Sequence, residues 1–140
     1  MSSFKTCTAA LSLALMATIT AWAQPSQRLS ANDVFALRTV TDPQISPDGK
    51  RIVYVVNFAD IQTDSRFSNL WMINFDGTDN RPITTGNVKD ASPRWAPDGS
   101  RIAFVSDRGG SSQIWQRWSD SGQMARMTSV PEAPGAIEWS

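Results

Sequence analysis

The stretch Trp95-Ala96-Pro97-Asp98-Gly99-Ser100-Arg101-Ile102-Ala103-Phe104-Val105-Ser106 decides the fold. It reads as a short strand, a tight turn and a longer strand. Pro97 presets φ for the second position of a turn, and Gly99 supplies the positive φ that closes it. Ile102 and Phe104 alternate with their neighbours at the period of a half-buried strand. The pattern also stands at Ile45-Ser46-Pro47-Asp48-Gly49-Lys50-Arg51-Ile52-Val53-Tyr54-Val55-Val56, and a third unit starts at Ile137-Glu138-Trp139-Ser140.

Three starts of one unit define a repeat. Pro47 and Pro97 are 50 residues apart, as are Ile52 and Ile102. Trp71 and Trp115 are 44 apart, as are Thr84 and Thr128, and Trp95 and Trp139. The six-residue difference falls between Tyr54 and Trp71, which predicts a longer loop in the first unit, within Asn57 to Ser68. Periods of about 40 to 50 residues with several short strands each are those of β-propeller blades.

The expected fold is therefore all-β: an incomplete β-propeller of about two four-stranded blades plus the first strand of a third. Blade 1 spans about 43–86, blade 2 about 93–130, and the start of blade 3 is 136–140, so that 42–140 forms the partial propeller. Blade 1 is expected to use strands at Gln44–Ser46, Arg51–Phe58, Asn69–Phe75 and Arg81–Thr84. Blade 2 repeats them at Pro93–Ala96, Arg101–Ser106, Gln113–Trp118 and Gln123–Thr128.

Residues 1–23 have the features of a secretory signal peptide. Lys5 gives the charged start, Ala9 to Ala17 the apolar core, and Ala21-Trp22-Ala23 a small-x-small cleavage site. Cleavage after Ala23 predicts a periplasmic or secreted protein with no membrane attachment. Residues 24–41 form an N-terminal segment with one short helix, Leu29 to Arg38, with Ser30 as cap and Asp33 three residues on. Leu29 and Val34 are placed to form a hydrophobic staple.

Composition excludes several chemistries. The chain of 140 residues has 13 basic and 13 acidic residues and no basic stripe, so no nucleic-acid partner is expected. Cys7, the sole cysteine, lies in the predicted signal, which leaves no disulfide or Cys-based metal site in the mature chain. Histidine is absent, so no Ser-His-Asp triad and no His-ligated zinc can be built from this chain alone. No Gly-x-Ser-x-Gly elbow, phosphate loop or dinucleotide fingerprint occurs, and Ser46, Ser106 and Ser111 lack a base. No catalytic, cofactor-binding or metal residue is assigned, and no cofactor is expected.

Three stretches invite a binding role. Asp76-Gly77-Thr78-Asp79-Asn80 is oxygen-rich, but it lacks calcium-loop spacing and matches the turn Asp120-Ser121-Gly122 of the second unit. Asp107-Arg108-Gly109-Gly110 is either a ligand-facing rim or a turn. Four of the tryptophans Trp71, Trp95, Trp115, Trp118 and Trp139 pair off at the 44-residue period, which points to blade packing. Trp118 is the unpaired one and the candidate for ligand contact.

The Pro-Asp-Gly-[Lys/Ser]-Arg-Ile repeat, followed by Tyr54-Val55 or Phe104-Val105, resembles the WD-like propeller repeat. That repeat is shared by the prolyl oligopeptidase family and by TolB, the periplasmic propeller of the Tol–Pal system. The run from Ser30 through Asp42-Pro43-Gln44-Ile45-Ser46-Pro47-Asp48-Gly49 is similar to the start of acylaminoacyl-peptidase and dipeptidyl-peptidase-like members. Ser106-Asp107-Arg108-Gly109-Gly110 resembles both branches.

The peptidase resemblance implies a serine hydrolase whose propeller covers an α/β-hydrolase domain and limits the peptides that reach the serine. Its catalytic residues would all lie C-terminal to Ser140, so none is carried onto this chain. The peptide substrate would then be met through the parent's catalytic domain. The other branch implies a non-enzymatic scaffold with a protein partner, and a third arrangement assembles blades from several chains. Because the third unit stops where a turn is due, Ser140 is expected to be an artificial or assembly-made terminus, with Pro-Asp-Gly or a close variant next in the parent gene.

Overall fold

The computed structural model describes Ser30 and residues 33–139. The expected signal peptide, its cleavage after Ala23 and the Leu29 side of the staple lie outside the described residues. A single helical turn, α1 (Asp33–Ala36), is followed by eight strands. Blade 1 holds β1 (Thr39–Ile45), β2 (Arg51–Asp60), β3 (Ser65–Asn74) and β4 (Arg81–Pro82). Blade 2 holds β5 (Asp90–Trp95), β6 (Arg101–Ser106), β7 (Gln113–Trp118) and β8 (Met124–Arg126). Each blade is a four-stranded antiparallel meander in chain order.

The helix is shorter than the expected Leu29–Arg38. Its start carries the Asp33 half of the capping box: the carboxylate accepts the Ser30 backbone N–H, and the Asp33 N–H bonds the Ser30 carbonyl at 3.1 Å. It ends early because Thr39, Val40 and Thr41 pair with Asn57, Val56 and Val55. β-Branched residues lose little in a strand and more in a helix, and the ladder decides. As a result β1 begins at Thr39, well before the expected Gln44. It passes Asp42 and Pro43 through a bulge between Thr41 and Gln44, with Asp42 at φ 47°. β5 repeats this bulge between Ala91 and Arg94, with Ser92 at φ 52°. Proline has no N–H for a ladder, so a bulge is where a strand accommodates it.

The Pro-Asp-Gly turns join β1 to β2 and β5 to β6. The Gly49 N–H bonds the Ser46 carbonyl, the Gly99 N–H bonds the Ala96 carbonyl, and both are 2.8 Å long. Gly49 and Gly99 sit at φ 70° and 69°, the left-handed region where a Cβ is penalised.

The expected loop Asn57 to Ser68 is instead mostly a hairpin. β2 and β3 pair without interruption from Arg51↔Asn74 to Asp60↔Ser65, leaving Ile61 to Asp64 as the turn. Phe58 and Phe67 face each other across the ladder with ring centroids 5.9 Å apart. That cross-strand pair extends the strands through a polar stretch. The extra six residues of the first unit therefore lengthen a hairpin.

The outer strands are shorter than expected because threonine hydroxyls take over the ladder. The Leu70 N–H bonds Thr84 Oγ1 at 2.8 Å, and the Ile114 N–H bonds Thr128 Oγ1 at 2.9 Å, at the 44-residue period. The core lies between the sheets. Val53, Val55, Leu70, Met72 and Ile83 of blade 1 meet Trp95, Ile102 and Phe104 of blade 2, with Trp115 against them. Residues 136–139, expected to open a third blade, have no ladder partner among the described residues. Ile137 is nevertheless buried.

Candidate functional site

The site with the most chemistry is the junction between the blades and its two ends. Trp95 caps it: its indole N–H donates to the Gln44 carbonyl of blade 1 at 3.1 Å, and the Arg51 guanidinium lies 5.1 Å from its ring centroid. The tail repeats this. The Trp139 indole donates to the Arg94 carbonyl at 3.2 Å, and Arg101 lies 5.5 Å from its ring. Periodicity placed Trp95 and Trp139 as packing residues: the Trp95 contact joins blade 2 to blade 1, and the Trp139 contact joins the tail to blade 2. Arg94 adds an ion pair to Asp42 at 2.9 Å, in the bulge of blade 1.

Asp107-Arg108-Gly109-Gly110 is a turn, closed by a 2.8 Å bond from the Gly110 N–H to the Asp107 carbonyl. Its arginine points inward. Arg108 Nη2 reaches both carboxylate oxygens of Asp90, at 2.7 and 2.8 Å, with Asp90 fully buried. Ser106 Oγ accepts from Arg108 Nε at 2.9 Å, and the guanidinium stacks 5.6 Å from Phe104 and 5.7 Å from Trp115. Charge-assisted bonds of this kind hold a buried ion pair that would otherwise be costly. Sequence reading missed Asp90. The signal was an acidic residue two before Ser92-Pro93, which nothing in the strand pattern requires.

Asp76 accepts the N–H and the hydroxyl of Thr78, at 2.9 and 2.6 Å, which makes 76–80 a hairpin turn. Among the described residues no three His, Cys, Asp or Glu side chains gather as metal ligands. Ser46 Oγ donates to Asp48 at 2.5 Å, and Ser111 Oγ accepts from Gln113 at 3.2 Å, so both hydroxyls serve turns. Gln113 is a second residue that sequence reading missed. Its buried amide binds the Val130 carbonyl and N–H and the Thr128 hydroxyl, and so anchors the chain after β8.

Cavities are also present among the described residues. One, of about 310 Å³, is an open groove between the blades at the Pro-Asp-Gly end, lined by Trp118, Arg51, Ser100 and Asp120 among others. Trp118, the unpaired indole, therefore stands in a groove. Another, about 480 Å³, lies at Phe35 and Leu37 against the turn end of the long β2–β3 hairpin.

The carboxyls of Asp48 and Asp98 are held below the ordinary carboxylate range. For Asp48 the main cause is the Ser46 hydroxyl, then the Lys50 N–H; for Asp98 it is the N–H of Ser100, then its hydroxyl. Asp76 and Asp33 are lowered too, by Thr78 and by Ser30. A carboxyl lowered on folding contributes stability that is complete above its unfolded value and lost as pH falls through its folded one. Thermal unfolding followed by circular dichroism should give a flat midpoint from neutral pH to about 5, and a falling one below about 4. A midpoint that holds or rises below about 4 would contradict this assignment.

Comparison with known proteins fits this architecture. Residues 27–139 match the family model described as the TolB beta propeller domain. The chain is 35% identical over 113 residues to the uncharacterized peptidase YuxL of Bacillus subtilis, covering 80% of this chain and 17% of that protein. It is 38% identical over 88 residues to dipeptidyl-peptidase 5 of Porphyromonas gingivalis, covering 63% of this chain and 13% of that one. Among solved structures, an acylaminoacyl peptidase superposes with a TM-score of 0.63 at 20% identity, over 75% of this chain and 16% of that one, a likeness of fold. The chain thus spans under a fifth of the length of these relatives. On the match across its two blades, this chain belongs to the TolB β-propeller domain family.

Proposed function

We propose that this chain is the N-terminal propeller part of a secreted or periplasmic serine peptidase, in which the propeller restricts the peptides that reach the catalytic serine. The observation that carries the reading is the 113-residue match to a peptidase of which it covers 17%. The chain has no histidine and no serine elbow, so catalysis belongs to a hydrolase domain beyond Ser140. In this reading residues 1–23 are the export signal, 24–41 lead into the propeller, and the blades at about 43–86 and 93–130 continue into a third from 136. No cofactor or metal is required.

The test is a fluorophosphonate probe on two products of the gene: residues 1–140 alone, and the reading frame extended downstream. We expect a labelled serine only in the extended protein. An extended protein that carries blades without a Gly-x-Ser-x-Gly and a later histidine, and takes no label, overturns the reading. It would favour the second one, a periplasmic scaffold that binds a protein partner, which the family match itself supports.

A further inference from the structure

β2 runs on past the strand beside it. It reaches Asp60, while β1 starts at Thr39, opposite Asn57. On its other side β3 follows it to the end, at Asp60↔Ser65. Phe58 to Asp60 therefore have a strand on one side and none on the other among the described residues. The ladder tells which backbone groups are left over. The Lys50 carbonyl accepts from Phe75, on the β3 side, and the Arg51 carbonyl accepts from Ser46, on the β1 side. Bonding direction alternates along a strand, so the odd-numbered residues of β2 serve β1 and the even-numbered ones serve β3. Ala59 is odd. Its N–H and C=O point to the uncovered side, and neither has a hydrogen-bond partner among the described residues.

The cavity of about 480 Å³ lies on that side. Ala59 and Phe58 line it from β2, and Phe35 and Leu37 from the segment before β1. Leu37 is 62% exposed. Arg66, the cross-strand partner of Ala59, also lines it, as does Asp64, and neither forms an ion pair among the described residues. The other edges are blunted. The outer edge of β1 is broken by the bulge at Asp42 and Pro43, and β4 and β8 hold only two and three residues.

We propose that this edge docks an extended polypeptide in trans, which adds a short strand to β2 beyond the end of β1 and seats an apolar side chain against Phe35, Leu37 and Phe58. The free groups dictate the occupant: a donor and an acceptor on one residue, in the plane of the sheet, are matched together by one residue of an extended chain. Alternation then turns the side chain opposite Ala59 to the Arg66 face, and its two neighbours to the Phe58 face. One positive and one negative charge on the rim favour neither a polyanion nor a polycation, which leaves backbone pairing and apolar burial as the recognition.

The test uses the full chain, labelled with nitrogen-15, and the blocked pentapeptide Thr-Val-Phe-Val-Thr. We expect saturable shifts at the amides around Ala59, whose own hydrogen exchange should slow about tenfold or more at saturation. A copy of the peptide N-methylated at its three central residues keeps the side chains and loses the donors, and should bind about tenfold more weakly. L37D changes an exposed side chain, so the unfolding temperature should hold while affinity falls about tenfold. The absence of saturable shifts overturns the proposal, as does an N-methylated copy that binds as tightly, or unchanged affinity in L37D. So does an Ala59 N–H already slow to exchange in the free chain, the sign that this chain's own residues or a second copy cover the edge.

Discussion

Replacing Asp90 with alanine is expected to cost about 3–5 kcal/mol, a large part of the stability of a domain this size. The carboxylate is fully buried and takes both bonds from Arg108 Nη2, whose side chain is itself only 13% exposed. Without it a guanidinium is left between Phe104 and Trp115 with only the Ser106 hydroxyl and no counter-charge. Chemical denaturation by fluorescence should show the midpoint falling with little change in slope. A double variant, Asp90→Leu with Arg108→Met, should recover most of the loss, because the penalty comes from the stranded charge. If Asp90→Ala loses less than about 1 kcal/mol, the pair is not holding the blade.

The second large effect is expected at Phe104. Its ring has no exposed surface and sits at the centre of the inter-blade core, with Val53, Val55 and Leu70 in the same cluster. Phe104→Ala removes the ring and leaves a cavity, at about 3–5 kcal/mol by analogy with other buried aromatic truncations. Tyr54 occupies the same place in blade 1, and its hydroxyl reaches Asn80 at 2.6 Å. Phe104→Leu should therefore keep more than half the stability that alanine loses, while Tyr54→Phe should cost about 1 kcal/mol, the worth of one hydrogen bond. Equal losses for Phe104→Ala and Phe104→Leu would mean that the site collapses around either.

What was legible in the sequence were residues whose job is local. Pro47-Asp48-Gly49 and Pro97-Asp98-Gly99 make their turns with neighbours only, so residue type sufficed, and periodicity then paired Trp95 with Trp139. Strand lengths were less legible. Thr39 to Thr41 join a strand because Val55 to Asn57 are there to pair with them, and Phe58 needs Phe67 to draw Ala59 and Asp60 into a ladder. Asp60, Thr63 and Asp64 disguised that hairpin as a loop. The candidate sites depended still more on partners distant in sequence. Asp90 meets Arg108 because β5 and β6 place Asp90 opposite Ser106, two residues before the arginine.

The indole fastening has a further consequence at the opposite face of blade 1. Position 95 holds a tryptophan that latches blade 2 to the Gln44 carbonyl, and position 139 latches the tail to the Arg94 carbonyl. The corresponding position in blade 1 is Ile45, 58% exposed and with no N–H to give from its side chain. A blade set against this face would lack that indole bond, worth about 1 kcal/mol. In a closed ring that face becomes the unlatched seam, and thermal breathing of the ring would start there rather than at the junction that Trp95 holds shut.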